Sequence, residues 1–105
     1  APRAFGFDFT VGIAHPALPG HFPGNPVVPG ALLLAHVLGG VSSELKRTVS
    51  AVKHVKFTAT LLPDETASVD CEAHADELRF AVQATRAGHR VSVASGTLTL
   101  GSGST

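Results

Sequence analysis

The chain has 105 residues, of which 44% are hydrophobic and 15% charged, and its eight basic and eight acidic residues cancel to a net charge of zero. The basic residues form no dense run, which argues against a nucleic-acid partner. The single cysteine, Cys71, excludes an internal disulfide and favours a reducing compartment, so we expect a cytoplasmic protein. No stretch approaches the ~20 apolar residues of a membrane span, and the length predicts one domain over residues 1–105.

The first part of the chain predicts one strand followed by an irregular loop. Residues 5–13 alternate apolar and polar side chains with period two, which is typical of a half-buried strand. Residues 14–29 hold five of the seven prolines and therefore cannot form regular structure.

A helix is predicted from residue 30 to about residue 47. Its first half is apolar on almost every side, so we expect it to be buried on every side. Lys46 and Arg47 are predicted at its C-terminal end, where the helix dipole favours cations. Gly39 and Gly40 each lower helix propensity by about 1 kcal/mol against alanine. They predict a close contact with a strand, a bend or an early end of the helix.

Four more strands are predicted after the helix, over residues 49–61, 66–74, 78–86 and 90–100. The apolar phase of the last one switches near Gly96, which predicts a bulge. Residues 101–105 are small and polar and predict a flexible tail. The element order favours an α+β fold in which one antiparallel sheet of about five strands wraps around one apolar helix.

The chemistry concentrates in residues 21–30, His-Phe-Pro-Gly-Asn-Pro-Val-Val-Pro-Gly. Proline fixes φ, glycine permits unusual φ, and the run leads directly into the predicted helix. Such a stiff loop suits a site that must hold a histidine beside a helix N-terminus. The alternative is a rigid loop with an incidental histidine.

This run resembles the His-Phe-Pro-Gly-x-Pro-x-x-Pro-Gly signature of the 3-hydroxyacyl-acyl-carrier-protein dehydratases of fatty-acid synthesis, and every fixed position is present. Residues 52–57 and 62–65 resemble that family's strand and turn after the helix. The sequence of residues 15–20 resembles that of a divergent branch of the family, whose members make polyene pigments and other specialised, polyketide-like acyl products. The resemblance implies a hot-dog fold, a homodimer with active sites between subunits, and dehydration of a 3-hydroxyacyl thioester to the trans-2-enoyl thioester.

The resemblance also implies a role for three positions. His21 is the catalytic base and acid, the Val27 carbonyl holds its imidazole in one tautomer, and the Gly30 amide polarises the thioester carbonyl. The chemistry explains each role, because removing a proton α to a thioester builds negative charge on its oxygen. A backbone N–H at a helix N-terminus stabilises that charge, and an imidazole has a pKa suited to a general base.

One position departs from the family. The second catalytic group, a Glu or Asp from the partner subunit, falls at Ala35, and the family's common glutamine falls at Gly39. His36 is then a candidate for the missing role, although a one-residue step turns its side chain about 100° around the helix; the alternative is a buried, hydrogen-bonded structural histidine. Otherwise His21 performs both proton transfers at reduced rate, or the protein is a thioesterase, an acyl-binding protein or the heterodimer partner of a related dehydratase.

The expected substrate is a thioester of acyl carrier protein or coenzyme A, with no cofactor, because the thioester itself acidifies the α-carbon. No metal site is expected, since the histidines show no ligand spacing. Cys71 is expected to be a small core residue. The residues predicted to contact substrate, several of which are equally plausible as plain core, are Phe22, Pro29, Ala31, Leu33, Leu34, Ala35 and Phe57.

Overall fold

A computed structural model describes residues 3–12, 28 and 30–103. It contains one helix and five strands in these ranges. In chain order they are β1 (Arg3–Thr10), α1 (Gly30–Leu45), β2 (Arg47–Phe57), β3 (Thr66–His74), β4 (Glu77–Arg86) and β5 (His89–Gly103). The strands form one sheet in the order β1-β3-β4-β5-β2, and all neighbours are antiparallel. The predicted α+β architecture of one helix and one five-stranded antiparallel sheet is confirmed.

The strand predictions hold best where polar and apolar residues alternate. β3 has the predicted bounds, and the alternate phenylalanines of β1 are half-buried while their neighbours are exposed. The hairpin between β4 and β5 has two loop residues, Ala87 at φ 49° and Gly88 at φ 80°. Two left-handed residues match the twist of the flanking strands, which is why this turn is so short.

The helix is buried along one stripe rather than on every side, and this prediction was wrong. Leu33, Val37 and Val41 are buried at four-residue intervals, whereas Ala35 and Gly39 on another face are exposed. The physical reason is that a single sheet covers only one face of a helix. The apolar composition of α1 therefore leaves an apolar face uncovered in one copy of the chain.

The helix also ends earlier than predicted. Lys46 has φ 56°, and its N–H donates to the Ser42 carbonyl at 2.9 Å, which closes the last turn. Arg47 is therefore not a helix residue but the first residue of β2. Its guanidinium binds the Gly101 and Ala75 carbonyls at 2.9 and 3.1 Å.

The C-terminal predictions need two corrections. The bulge in β5 is at Val93 rather than Gly96, because Val82 pairs with Ala94 and Gln83 with Ser92, which leaves Val93 as the extra residue. The predicted tail is wrong for residues 101–103, which belong to β5. β5 extends this far because it pairs with the start of β2, so the first residue of β2 has a partner at Gly103.

The core lies between α1 and one face of the sheet, and no described polar side chain is buried in it. Cys71 is 5% exposed within this core, as predicted, and burial raises the pKa of its thiol to about 12. The largest of the fully buried side chains, each at most 2% exposed, are Leu33, Leu61, Leu78 and Leu98.

Candidate active site

The described residues include the end of the proline-rich motif but not its beginning. His21, Phe22, Val27 and Pro29 lie outside the described residues, so their roles stay predictions. Val28 is 5% exposed, and its N–H donates to the Leu61 carbonyl at 2.8 Å in an isolated antiparallel bridge. The C-terminal end of the motif is therefore attached to the segment that follows β2.

Gly30 is the first residue of α1, as the sequence predicted. The first amides of a helix have no intrahelical acceptor and carry the positive end of the helix dipole. α1 has no acidic residue in its first turn to offset that field. The amides at this end of the helix can therefore stabilise negative charge on a ligand.

Phe57, predicted from sequence to contact substrate, lies directly against Gly30. A Cβ atom built on Gly30 would be 3.0 Å from Cζ of the Phe57 ring, which is 48% exposed. Glycine is needed here because it allows this ring close to the first turn of the helix. The structure thus brings together two of the predicted site residues, one from α1 and one from the end of β2.

The other predicted helix residues divide between core and surface. Leu33 is 2% exposed in the core and Leu34 packs against the core while half-buried, which fits their reading as plain core. Ala31 and Ala35 are exposed. Contact of these four residues with an acyl chain stays a prediction.

An open groove of about 290 Å³ lies along the exposed side of α1. Ala35 and Gly39, the positions where the resembled family has its carboxylate and glutamine, are both in its lining. The groove exists because neither residue has a side chain large enough to fill it. The full lining is Leu32, Ala35, His36, Gly39 and Gly40.

His36 borders this groove and is held by an aromatic stack. Its ring lies 4.8 Å from the ring of Phe9 with an interplanar angle of 3°. Within the ranges that the structure describes, no hydrogen bond engages the His36 nitrogens. The stack orients the ring while leaving its nitrogen atoms available to a ligand or to residues beyond these ranges.

The stack belongs to a seam between α1 and the edge strand β1. A Cβ built on Gly40 would be 2.3 Å from the Phe7 ring, so Gly40 makes the close strand contact that the sequence predicted as one option. One turn later, Arg3 pairs with Glu44 at 3.0 Å. His36 and Gly40, four positions apart on the helix, thus meet Phe9 and Phe7, two positions apart on β1, because one helical turn and two strand residues have similar lengths. Sequence reasoning missed Phe9, and only its place in the alternation of β1 pointed to it.

A second contact that sequence reasoning missed joins Glu65 to Arg86. Two guanidinium nitrogens of Arg86 donate to the two carboxylate oxygens, at 2.6 and 2.8 Å, and Arg86 also donates to the Thr60 carbonyl. The Leu62 N–H donates to Glu65 at 2.8 Å. The hydrogen bonds from Arg86 lower the pKa of the Glu65 carboxyl, partial burial opposes this shift, and the Leu62 amide adds to it. Glu65 directly precedes β3 and Arg86 ends β4, so the hairpin register in which Ala67 pairs with Ala84 brings the two residues opposite each other.

The sheet carries a hollow of about 420 Å³ that includes none of the predicted site residues. Within it, Glu77 is already paired with Lys53 at 2.8 Å. The described residues hold no group of three His, Cys, Asp or Glu that could bind a metal. Nor do these residues form a helix long and apolar enough to cross a membrane. The hollow is lined by Glu72, His74, Glu77 and Arg79.

Comparison with known proteins identifies the family. The model of the ApeI-like family, described as ApeI dehydratase, matches residues 2–97. The 3-hydroxyacyl-[acyl-carrier-protein] dehydratase FabZ of Lawsonia intracellularis (strain PHE/MN1-00) is 34% identical over an alignment of 75 positions, which covers 60% of this chain and 49% of that protein. The aligned part thus spans about half the length of this relative.

Solved structures agree on the fold. An uncharacterized protein from Erwinia carotovora subsp. atroseptica matches with a TM-score of 0.83 at 22% identity, over 95% of this chain and 84% of that chain. The dehydratase heterocomplex ApeI:P from Xenorhabdus doucetiae matches with a TM-score of 0.76 at 17% identity, over 95% of this chain and 93% of that chain. A hexameric acyl-CoA thioesterase matches with a TM-score of 0.66 at 13% identity, over 92% of this chain and 67% of that chain. The chain has the hot-dog fold that these dehydratases and thioesterases share, and it belongs to the ApeI-like dehydratase family.

Proposed function

We propose that the protein removes water from a 3-hydroxyacyl thioester and releases the trans-2-enoyl thioester, in the cytoplasm and in fatty-acid or polyene-type biosynthesis. The observation that carries this proposal is the position of Gly30. The motif ends on the first residue of α1, where the amide is free of intrahelical bonds and the Phe57 ring forms an adjoining apolar wall. A thioester carbonyl placed there would receive a hydrogen bond as its oxygen gains charge.

In this mechanism the imidazole of His21 takes the proton from the α-carbon. The C–H electron pair delocalises into the thioester carbonyl, whose oxygen accepts the Gly30 N–H. The Val27 carbonyl keeps the imidazole in the required tautomer. The electron pair then forms the α,β double bond as the hydroxyl leaves with a proton, so that the products are the enoyl thioester and water.

We assign the proton for the departing hydroxyl to His36 of a partner subunit in a homodimer. The supporting geometry is the groove beside Ala35, where the family carboxylate is missing and the stacked His36 ring offers its nitrogens. The uncovered apolar side of α1 and the exposed edge strand β2 also favour a homodimer, since both are surfaces that a second copy can cover. The carrier of the acyl group is acyl carrier protein or coenzyme A.

Two other functions are distinguished by the same assay. The missing carboxylate at Ala35 favours an acyl-binding protein or a heterodimer partner, and the similar ApeI:P structure is a dehydratase heterocomplex. Structural similarity to acyl-CoA thioesterases makes thioester hydrolysis the second alternative. That reaction needs a group that activates water, and α1 offers no carboxylate near Ala35.

The decisive experiment incubates the purified protein with a 3-hydroxyacyl carrier-protein thioester and identifies the products by mass spectrometry. His21→Ala is expected to abolish enoyl product. His36→Phe keeps a ring against Phe9 but carries no proton, so it is expected to lower the rate by about 10²–10⁴-fold. His74→Ala, at an exposed histidine of β3, is the matched control and is expected to keep full activity.

Each outcome assigns a function. Full activity in His36→Phe would leave both proton transfers to His21. Free acid as the product would indicate a thioesterase. Binding without turnover by the native protein would overturn the dehydratase proposal for this substrate and favour an acyl-binding partner.

A further inference from the structure

We propose that Glu65 and Arg86 are positioning residues that hold the helix-side end of the proline-rich motif in its catalytic position. This inference rests on the proposed dehydration, because it concerns how the Gly30 amide and the motif are kept in place. Neither residue lies within the motif. Their effect is transmitted through the segment between them and Val28.

The contact has the geometry of a clamp. Arg86, at the end of β4, grips the Glu65 carboxylate with two hydrogen bonds of 2.6 and 2.8 Å and binds the Thr60 carbonyl. Glu65 in turn accepts the Leu62 N–H at 2.8 Å. The residues on both sides of Leu61 are therefore bound by one ion pair.

Leu61 is the residue on which the motif rests. It is 1% exposed, and its carbonyl accepts the Val28 N–H at 2.8 Å. Val28 follows Val27, the predicted orienting residue, and precedes Gly30 by two positions. A displacement of the 60–62 segment would thus pass through one backbone hydrogen bond to both functional backbone groups.

This ion pair differs from the exposed pairs of the sheet. The side chains of Glu65 and Arg86 are 16% and 30% exposed, against 44% and 55% for Glu77 and Lys53. Two parallel bonds from a rigid guanidinium fix distance and angle together, whereas a single exposed pair constrains its partners weakly. Because Arg86 also binds the Thr60 carbonyl and Glu65 the Leu62 N–H, the rigid ion pair fixes the backbone of residues 60–62.

The opposite end of β4 supplies a matched control. Arg47 also binds a carboxylate, that of Asp76 at 2.7 Å, and backbone carbonyls, with a side chain 27% exposed. It contacts the hairpin between β3 and β4 and the end of β5, not the 60–62 segment. Its loss removes an arginine that joins a carboxylate, through one bond, to backbone carbonyls, and it leaves the path to Val28 untouched.

The test compares Arg86→Ala and Glu65→Ala with Arg47→Ala and Asp76→Ala. Steady-state dehydration gives kcat and KM, thermal melts give stability, and hydrogen exchange resolved at the Val28 amide reports the bridge to Leu61. Since a misplacement of about 1 Å can cost about 10²-fold in rate, we expect kcat to fall at least about tenfold in the Arg86 and Glu65 variants. KM should change by less than about threefold.

The Val28 amide is expected to exchange at least about tenfold faster in those two variants and at the native rate in the Arg47 and Asp76 variants. Arg86→Lys keeps the positive charge but not the two parallel hydrogen bonds, so its kcat should lie between those of Arg86→Ala and the native protein. If Arg86→Ala does not fold, Arg86→Lys takes its place in the test. An equal loss of kcat in Arg47→Ala and Arg86→Ala at equal melting temperature would overturn the proposal. If the native protein shows no dehydration, the proposed function fails, and an unchanged Val28 exchange rate in Glu65→Ala then overturns the clamp as well.

Discussion

Gly40 and its neighbour Gly39 make a sharp test of how α1 packs on β1. Alanine at residue 40 would place a methyl carbon 2.3 Å from two atoms of the Phe7 ring and 2.9 Å from a third. Alanine at residue 39 would meet no atom within 4 Å. The same substitution at adjacent helix positions therefore has opposite expected effects.

The magnitudes follow from two opposing terms. Replacing glycine by alanine inside a helix stabilises it by about 1 kcal/mol, and at Gly39 nothing opposes this gain. At Gly40 the half-buried Phe7 ring must move, and overpacking of this kind costs about 1–3 kcal/mol. With three ring atoms overlapping, we expect the upper part of that range and a net loss of about 1–2 kcal/mol. The two variants should then differ by about 2–3 kcal/mol in free energy of unfolding.

Urea titration and thermal melting measure this difference. At about 4–8 °C per kcal/mol for a domain of this size, the melting temperatures should be separated by at least about 8 °C. Melts at two protein concentrations separate subunit association from folding, since association makes the melting temperature concentration-dependent. The double variant Phe7→Leu with Gly40→Ala should recover much of the loss in a double-mutant cycle. Gly40→Ala as stable as Gly39→Ala would refute the packing argument.

Three further predictions concern other parts of the fold. Hydrogen bonds from Arg86 lower the pKa of Glu65 in the folded protein, so the stability that this carboxylate contributes is complete above its pKa in the unfolded chain, about 4.3, and is lost as the pH falls below that value. The free energy of unfolding should therefore fall less steeply with acid in Glu65→Gln, and identical pH curves would contradict this. Because burial raises the pKa of Cys71 to about 12, the thiol should resist iodoacetamide at pH 8 until urea unfolds the chain, and rapid labelling of native protein would count against the placement of β3. Gly96→Ala would put a methyl carbon 2.4 Å from the His54 carbonyl oxygen, so calorimetry should show a loss of about 3 kcal/mol, and a melting temperature equal to that of the native protein would disprove this close approach.

Local sequence patterns predicted most of the secondary structure. Period-two alternation located β1 and β3, because one face of each strand is apolar and the other is solvated. The glycine at the start of α1 was also placed from sequence, since the preceding prolines exclude regular structure and the apolar run begins there. The motif sufficed to indicate the family, which the family model then confirmed.

Features that depend on neighbours distant in sequence were decided by the tertiary structure. The sequence predicted a helix buried on every side, but burial depends on what covers each face, and the sheet covers only the stripe through Val37. The bulge lies at Val93 because the register of β5 is set by β4, not by the position of Gly96. Likewise, residues 101–103 extend a strand because β2 offers them a partner.

The candidate site shows the same division. The motif, which contains His21 and ends at the start of α1, is local and was found from the sequence alone, while the roles of its residues stay predictions. The contact of His36 with Phe9 depends on the packing of α1 against β1, and the contact of Glu65 with Arg86 depends on the exact register of the β3–β4 hairpin, which sequence patterns did not fix. Backbone propensity and side-chain periodicity act over a few residues, so they determine elements and motifs. The packing of the helix on the sheet decides which side chains meet.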